Sequence, residues 1–333
     1  MTQLDERSTL PVGSGPRRLH RPLLVACGLM AALLLWSLAG LSLDDRLIAG
    51  EPAWAKPAKF AAAFVLYTAT LAWLLSLPHR GSRVTGWMGT IFAVTTVVDV
   101  GFVVVQAARG TFSHFNTESD AVNTVGQLIF ASGVPGLFAA NLVIAVVVLW
   151  QRVADRPVTL AIRAGLALAV AGMALGYLMG FTGARTAAAA DGGAVELAGS
   201  HTVGDRGVRD DPAGLPVTHW STTGGDLRVP HFVGLHGVQV LLLAAVALGF
   251  AARRYPALRA ERTRARLVGV LAAAWTGLLA LTLGQALRGV PPAAPDAPVL
   301  LAGAALLAGT ALGVALVLSA AARRRAPATR VSH

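Results

Sequence analysis

Residues 229–240 read VPHFVGLHGVQV and place two imidazoles, His231 and His236, in one predicted helix. With His231 as reference and about 100° per residue, Arg228 falls at roughly 60°, Gln239 at roughly 80° and His236 at roughly 140°. One arc therefore carries the polar groups, while Gly234 and Gly237 lie on the other side, where small residues admit a neighbouring helix. Imidazole is the commonest metal ligand and titrates near neutral pH. His114, His201 and His219 fall in segments predicted at the same membrane face, whereas His20, His79 and His333 fall at the opposite one. His114, His201, His231 and His236 are therefore candidate ligands for haem b or a transition metal.

A second constellation lies deeper. Asp99 sits about 9 residues inside the end of its helix, roughly 13 Å into the hydrocarbon, where a carboxyl group is a functional candidate by default. Gln106 and Arg109 continue its polar edge toward the surface. Tyr67, on the antiparallel neighbouring span, has matching depth, so a Tyr67–Asp99 hydrogen bond is expected. Asp99 and Tyr67 become a candidate proton-handling pair.

Lysine usage marks a third feature. Of 28 basic residues only two are lysine, and both lie in WAKPAKF, residues 54–60. Pro57 suits the first helical position, which puts Lys56 just outside the helix and Lys59 a turn inside. Snorkelling to lipid phosphate would account for both. Yet arginine does that elsewhere in this chain, and lysine differs in offering a compact ammonium with three donors. Lys56, Lys59, Arg109, Asn116, Asp226, Arg228 and Gln239 are candidate ligand-binding residues, with Asp99, Tyr67, Lys59 and Arg228 the candidates for catalysis.

Composition dictates what positions these groups. The chain is 55% hydrophobic and 14% charged, where a soluble domain carries roughly a quarter charged residues. Eight apolar runs are long enough to cross about 30 Å of hydrocarbon, near 22–43, 57–77, 86–108, 124–150, 159–182, 230–252, 267–287 and 298–321. The expected fold is an all-α polytopic integral membrane bundle. Residues 1–21 form a tail, 22–322 the bundle and 323–333 a basic tail. Arginines concentrate at alternate connections, including Arg80 and Arg83, Arg152 and Arg156, and Arg253 to Arg266. The positive-inside rule then puts both termini in the cytoplasm of a bacterial cell membrane and the His-bearing segments outside. The net charge of +11 is accounted for by topology and anionic lipid, so nucleic acid is not expected as a partner.

The longest connection, 183–229, contains AAAADGGAVELAG, which reads as a flexible insertion, followed by SHTVG and THWSTTGGDLR, which read as a folded cap. The HxxxxH spacing lacks the Glu of a zinc-protease helix, and neither a Gly-rich phosphate loop nor a G-x-S-x-G elbow occurs. Cys27 is the sole cysteine and lies within the first span, which excludes a disulfide framework.

The stretches KPAKF, ARGTFSHFN, SHTVG and WSTTGGDLRVPHFVGLHGVQ resemble a group of functionally uncharacterised bacterial multi-pass membrane proteins, in which Asn commonly stands where this chain has His219. The resemblance spans roughly residues 50 to 245 and implies a shared site at the external face, without supplying a reaction. Three readings stay open. The first is a haem- or metal-dependent membrane enzyme with a redox partner. The second is a transporter or receptor for a small anion or lipid headgroup. The third is a membrane scaffold whose loop binds a protein partner; a homo-oligomer is compatible with all three.

Overall fold

The computed structural model describes residues 18–204 and 214–324. Eight helices are long and apolar enough to cross a membrane: α1 (Arg21–Leu43), α2 (Ala55–Ser76), α3 (Ser82–Arg109), α4 (Ala121–Leu149), α5 (Arg156–Gly176), α6 (Arg228–Arg254), α7 (Glu261–Leu287) and α8 (Ala297–Arg323). Each coincides with one expected span, and the chain is an all-α membrane bundle. Leu35, Trp36, Leu128, Leu243 and Leu301 project outward from it, a surface that only hydrocarbon would cover.

Local chemistry sets the helix ends. Asp120, Asp155 and Asp296 cap α4, α5 and α8, each accepting a backbone N–H of the first turn. In α2 the helix begins two residues earlier than Pro57 suggests. Trp54 is its cap residue and Pro57 occupies the third position, where the missing N–H is again no loss. The Trp54 ring lies over Gly40 of α1 and its indole N–H donates to Asp44 at 2.8 Å.

Between helices, apolar burial gives no net drive in lipid, so close packing has to hold them. The clearest case joins α5 and α6. A Cβ on Gly234 would lie 2.4 Å from the Gly172 Cα, and one on Gly165 2.5 Å from the Val238 Cα. Gly237 likewise packs on Leu168 of α5. The two backbones meet along the glycine face of α6 that the helical arc assigned to a neighbour.

At one end the connections are short and Arg-rich. Arg80 N–H donates to Gln151 at 2.6 Å, and Arg152 pairs with Glu261. At the other end the four connections zip into a cap built from three two-stranded antiparallel ribbons: β1 (Leu47–Ile48) with β2 (Glu51–Pro52), β3 (Arg185–Ala188) with β4 (Ala194–Leu197), and β5 (Thr202–Val203) with β6 (Gly225–Asp226). Ala49 N–H bonds to Ala188, Ala190 N–H to Gly110, and Asn116 bridges to Leu197. Gly204 touches Gly289, which ties in the α7–α8 connection.

The segment expected to be a flexible insertion is thus a hairpin. Ala187, Val195 and Leu197 form its buried face, against Phe112 and Phe115. Its alternation is carried by alanine as much as by β-branched residues, which weakens the strand signal.

Gly234→Ala is expected to lower the stability of the detergent-solubilised protein by about 1–3 kcal/mol, since the added methyl meets backbone that cannot move aside. Gly249→Ala, with nothing within 4 Å, is the control and should cause no loss. Equal melting temperatures for the two variants would contradict the packing described.

Candidate functional site

Beneath the cap is a cavity of about 180 Å³, enclosed by the starts of α2 and α6, the end of α3 with residues 111–115, and all three ribbons. Lys56, Lys59, Arg185 and Arg228 line it, against one carboxylate, Glu51. Both α2 and α6 begin here, so two positive helix ends add to the field.

Two of these cations are neutralised locally. Lys59 forms an ion pair with Glu51 and donates to the Thr218 carbonyl at 3.0 Å. Arg228 grips Asp226 with Nη2 at 2.7 Å and Nε at 3.0 Å, while the Arg228 and Ser221 backbone N–H groups donate to the same carboxylate. Arg185 donates through Nη1 to Thr202 Oγ1 at 3.1 Å. Lys56 differs. Among the described residues no ion pair or hydrogen bond holds it; the Glu51 carboxylate that attracts it is already paired with Lys59, and Lys56 lines the cavity.

His114 and His201 also line the cavity, with ring centroids 6.4 Å apart. Burial drives both imidazoles well below their ordinary pKa of 6.5. Lys56 and His231 add to the effect on His114, and Arg228, Lys56, His114 and Arg185 add to the effect on His201. Both shifts favour the neutral ring. Neutral imidazole is the ligating form, yet the cations that line the same cavity also repel a metal ion, so the charge balance favours an anion.

The expected four-histidine ligand set does not assemble. His231 directs Nδ1 to the Gly172 carbonyl of α5 at 2.7 Å, held by the close glycine contact. His236 stacks on Phe232 beside Gln239, whose Nε2 reaches Thr70 of α2 at 3.4 Å. Among the described residues no three His, Cys, Asp or Glu side chains are arranged to hold a metal ion.

The Tyr67–Asp99 pair is likewise not formed. Tyr67 Oη donates to Asn141 Oδ1 at 2.9 Å and stacks on Phe92. Asp99 turns to α4, where a Cβ on Gly133 would lie 2.0 Å from its Oδ1, and neither carboxyl oxygen has a hydrogen-bond partner among the described residues. Equal depth on neighbouring helices did not bring these two side chains to a common face.

Arg109 and Asn116 lie outside the cavity lining and support the cap instead. Arg109 pairs with Asp120 at 2.9 Å and with Gln106 at 2.8 Å. Asn116 donates to Phe112 O and Glu118, and buried Asn123 anchors the same turn. Of the residues singled out from sequence, the structure gathers Lys56, Lys59, His114, His201 and Arg228 around one space, with Asp226 behind Arg228.

Sequence reasoning missed Glu51, Arg185, Phe60, Phe115 and Phe232, all of which line the cavity. A signal existed for Glu51, an isolated acid just before the two lysines. Arg185 had none, because its ribbon read as an insertion. His219 lines the cavity too, in a left-handed backbone conformation with φ 51°. Asn adopts that region more readily than most residues, so Asn would fit this position with less strain than His.

No family model, curated protein or solved structure matches this chain.

The sign of one pH effect follows. Below pH 6.5 the unfolded chain protonates histidines that the folded state keeps neutral, so stability is lost as the pH falls from 6.5 toward the depressed folded values. Each histidine contributes a slope of at most about 1.4 kcal/mol per pH unit. Acid titration of the melting temperature is expected to show this fall, and His114→Phe with His201→Gln to reduce it; an unchanged slope would mean that neither imidazole is held neutral.

Proposed function

We propose that the chain is a bacterial membrane protein whose extracytoplasmic cap encloses a binding site for a small anion. The observation that carries this is Lys56, a cation that lines the cavity without an ion pair of its own, since Glu51, the carboxylate that attracts it, is paired with Lys59, and Arg228 is paired with Asp226. A desolvated ammonium without an ion pair is costly, and an anionic ligand would supply the partner. Lysine suits this role better than arginine because its ammonium is compact and can turn its three donors to the ligand.

The reading favours the anion receptor or transporter over the haem enzyme. The lining residues are an excess of cations with neutral imidazoles as further hydrogen-bond partners, and the histidines on α6 are engaged with α5 and with their own helix. Asp99 and Tyr67 take no part in the cavity lining, so the reading assigns them no role in binding.

Lys56→Met separates binding from stability. In the absence of added anion it is expected to stabilise the protein by about 1–3 kcal/mol, by removing a desolvated ammonium that has no ion pair. It should at the same time weaken binding of carboxylate probes, acetate and benzoate, at least about tenfold by calorimetric titration. A variant that binds both probes as wild type does would sink the proposal.

Orientation is tested in a Cys27→Ser background. A thiol at Ala194→Cys in the cap should react with an impermeant maleimide in intact cells, and one at Ser82→Cys only after permeabilisation. The reverse pattern would place the cavity in the cytoplasm.

A further inference from the structure

The cavity walls are aromatic as well as basic. Phe60, Phe112, Phe115, Trp220 and Phe232 line it alongside the cations. Around His114 the rings form a cluster: Phe60 stands at 5.6 Å, Phe115 at 6.1 Å and Phe130, behind it, at 4.5 Å between centroids, and Phe115 faces His201 at 5.8 Å.

Phe115 is held there against its backbone preference. Its φ of 62° is left-handed, which costs a bulky residue about 1–3 kcal/mol. The conformation is fixed by a 2.7 Å hydrogen bond from Ala198 N–H to the Phe115 carbonyl, and Gly199 leaves room for the ring, since a Cβ there would lie 2.9 Å from Phe115 Cδ1. The residues that follow β4 thus hold a ring of the α3–α4 connection in the cavity wall at a conformational cost.

An inorganic anion would satisfy Lys56 and leave these rings facing water. A neutral apolar molecule would cover the rings and leave Lys56 unpaired. Only a molecule with both parts satisfies the whole surface. Size gives a further bound, because a cavity of about 150 Å³ is known to admit benzene, and this one, at about 180 Å³, has room for a ring plus a small charged group.

Resting on the anion-binding reading above, we infer that the ligand is a small organic carboxylate with a flat apolar body, of the size of an arylcarboxylate. Its carboxylate meets Lys56, with the neutral imidazoles of His114 and His201 as further polar neighbours, and its body packs on Phe60, Phe115 and Phe232. The selectivity is double: charge excludes neutral analogues, and the aromatic wall discriminates against acetate and phosphate.

The test uses the full-length protein in detergent, with binding followed by thermal shift and by calorimetric titration at constant ionic strength. The probes are benzoate, acetate, inorganic phosphate and benzyl alcohol. Benzoate should bind at least about tenfold more tightly than acetate, as expected for burying a ring, and benzyl alcohol should produce no shift. Phe60→Ala should erase most of the advantage of benzoate while leaving acetate binding unchanged; Phe232→Ala serves the same purpose if the first variant fails to fold. Acetate or phosphate binding as tightly as benzoate would overturn this inference and leave the anion site standing. If none of the charged probes binds, both fall together.

Discussion

The buried ion pair between Arg228 and Asp226 is the interaction on which the cap depends. Asp226 is 1% exposed and accepts from its partner's guanidinium, from the Arg228 backbone and from Ser221. It closes ribbon β5–β6 at the point where α6 begins, and the following residue, Leu227, donates its N–H to the His201 carbonyl. One carboxylate thereby fixes the start of a membrane helix, the position of a cavity-lining histidine and the course of the chain around Ser221. Removing either partner of such a pair strands the other, typically at about 3–5 kcal/mol. The Lys59–Glu51 pair does the same for α2 and ribbon β1–β2.

These pairs also define the electrostatics of the space they enclose. Because each commits one cation to one carboxylate, Lys56 is left without an ion pair, and the positive ends of α2 and α6 add to its field. The same surroundings hold His114 and His201 neutral.

Much of the bundle was legible in the sequence because hydrocarbon imposes a length on every spanning helix, and eight runs of that length are present. The glycine face of α6 was legible for a similar reason, helical periodicity fixing which side Gly234 and Gly237 occupy. The site was readable only in part. Lys56, Lys59, His114, His201 and Arg228 were marked by residue type and by their predicted membrane face, but depth and face alone could not say which side chains meet. Tyr67 chose Asn141, and His231 chose the Gly172 carbonyl, because helix rotation and glycine gaps decide contacts at the scale of one side chain. Arg185 and Phe115 reach the cavity through a hairpin whose alanine-rich strands carry little pattern, and through a left-handed residue that no local rule would assign to phenylalanine.

The most direct test of an anion site beneath the cap is a crystal structure of the protein soaked with 4-bromobenzoate, read by the anomalous signal of bromine. The account predicts one peak inside the cavity, among Phe60, Phe115 and Phe232, with carboxylate density against the Lys56 ammonium, and loss of that peak in Lys56→Met. Bromine found only on the lipid-facing surface, or a cavity peak that persists unchanged without Lys56, would contradict it.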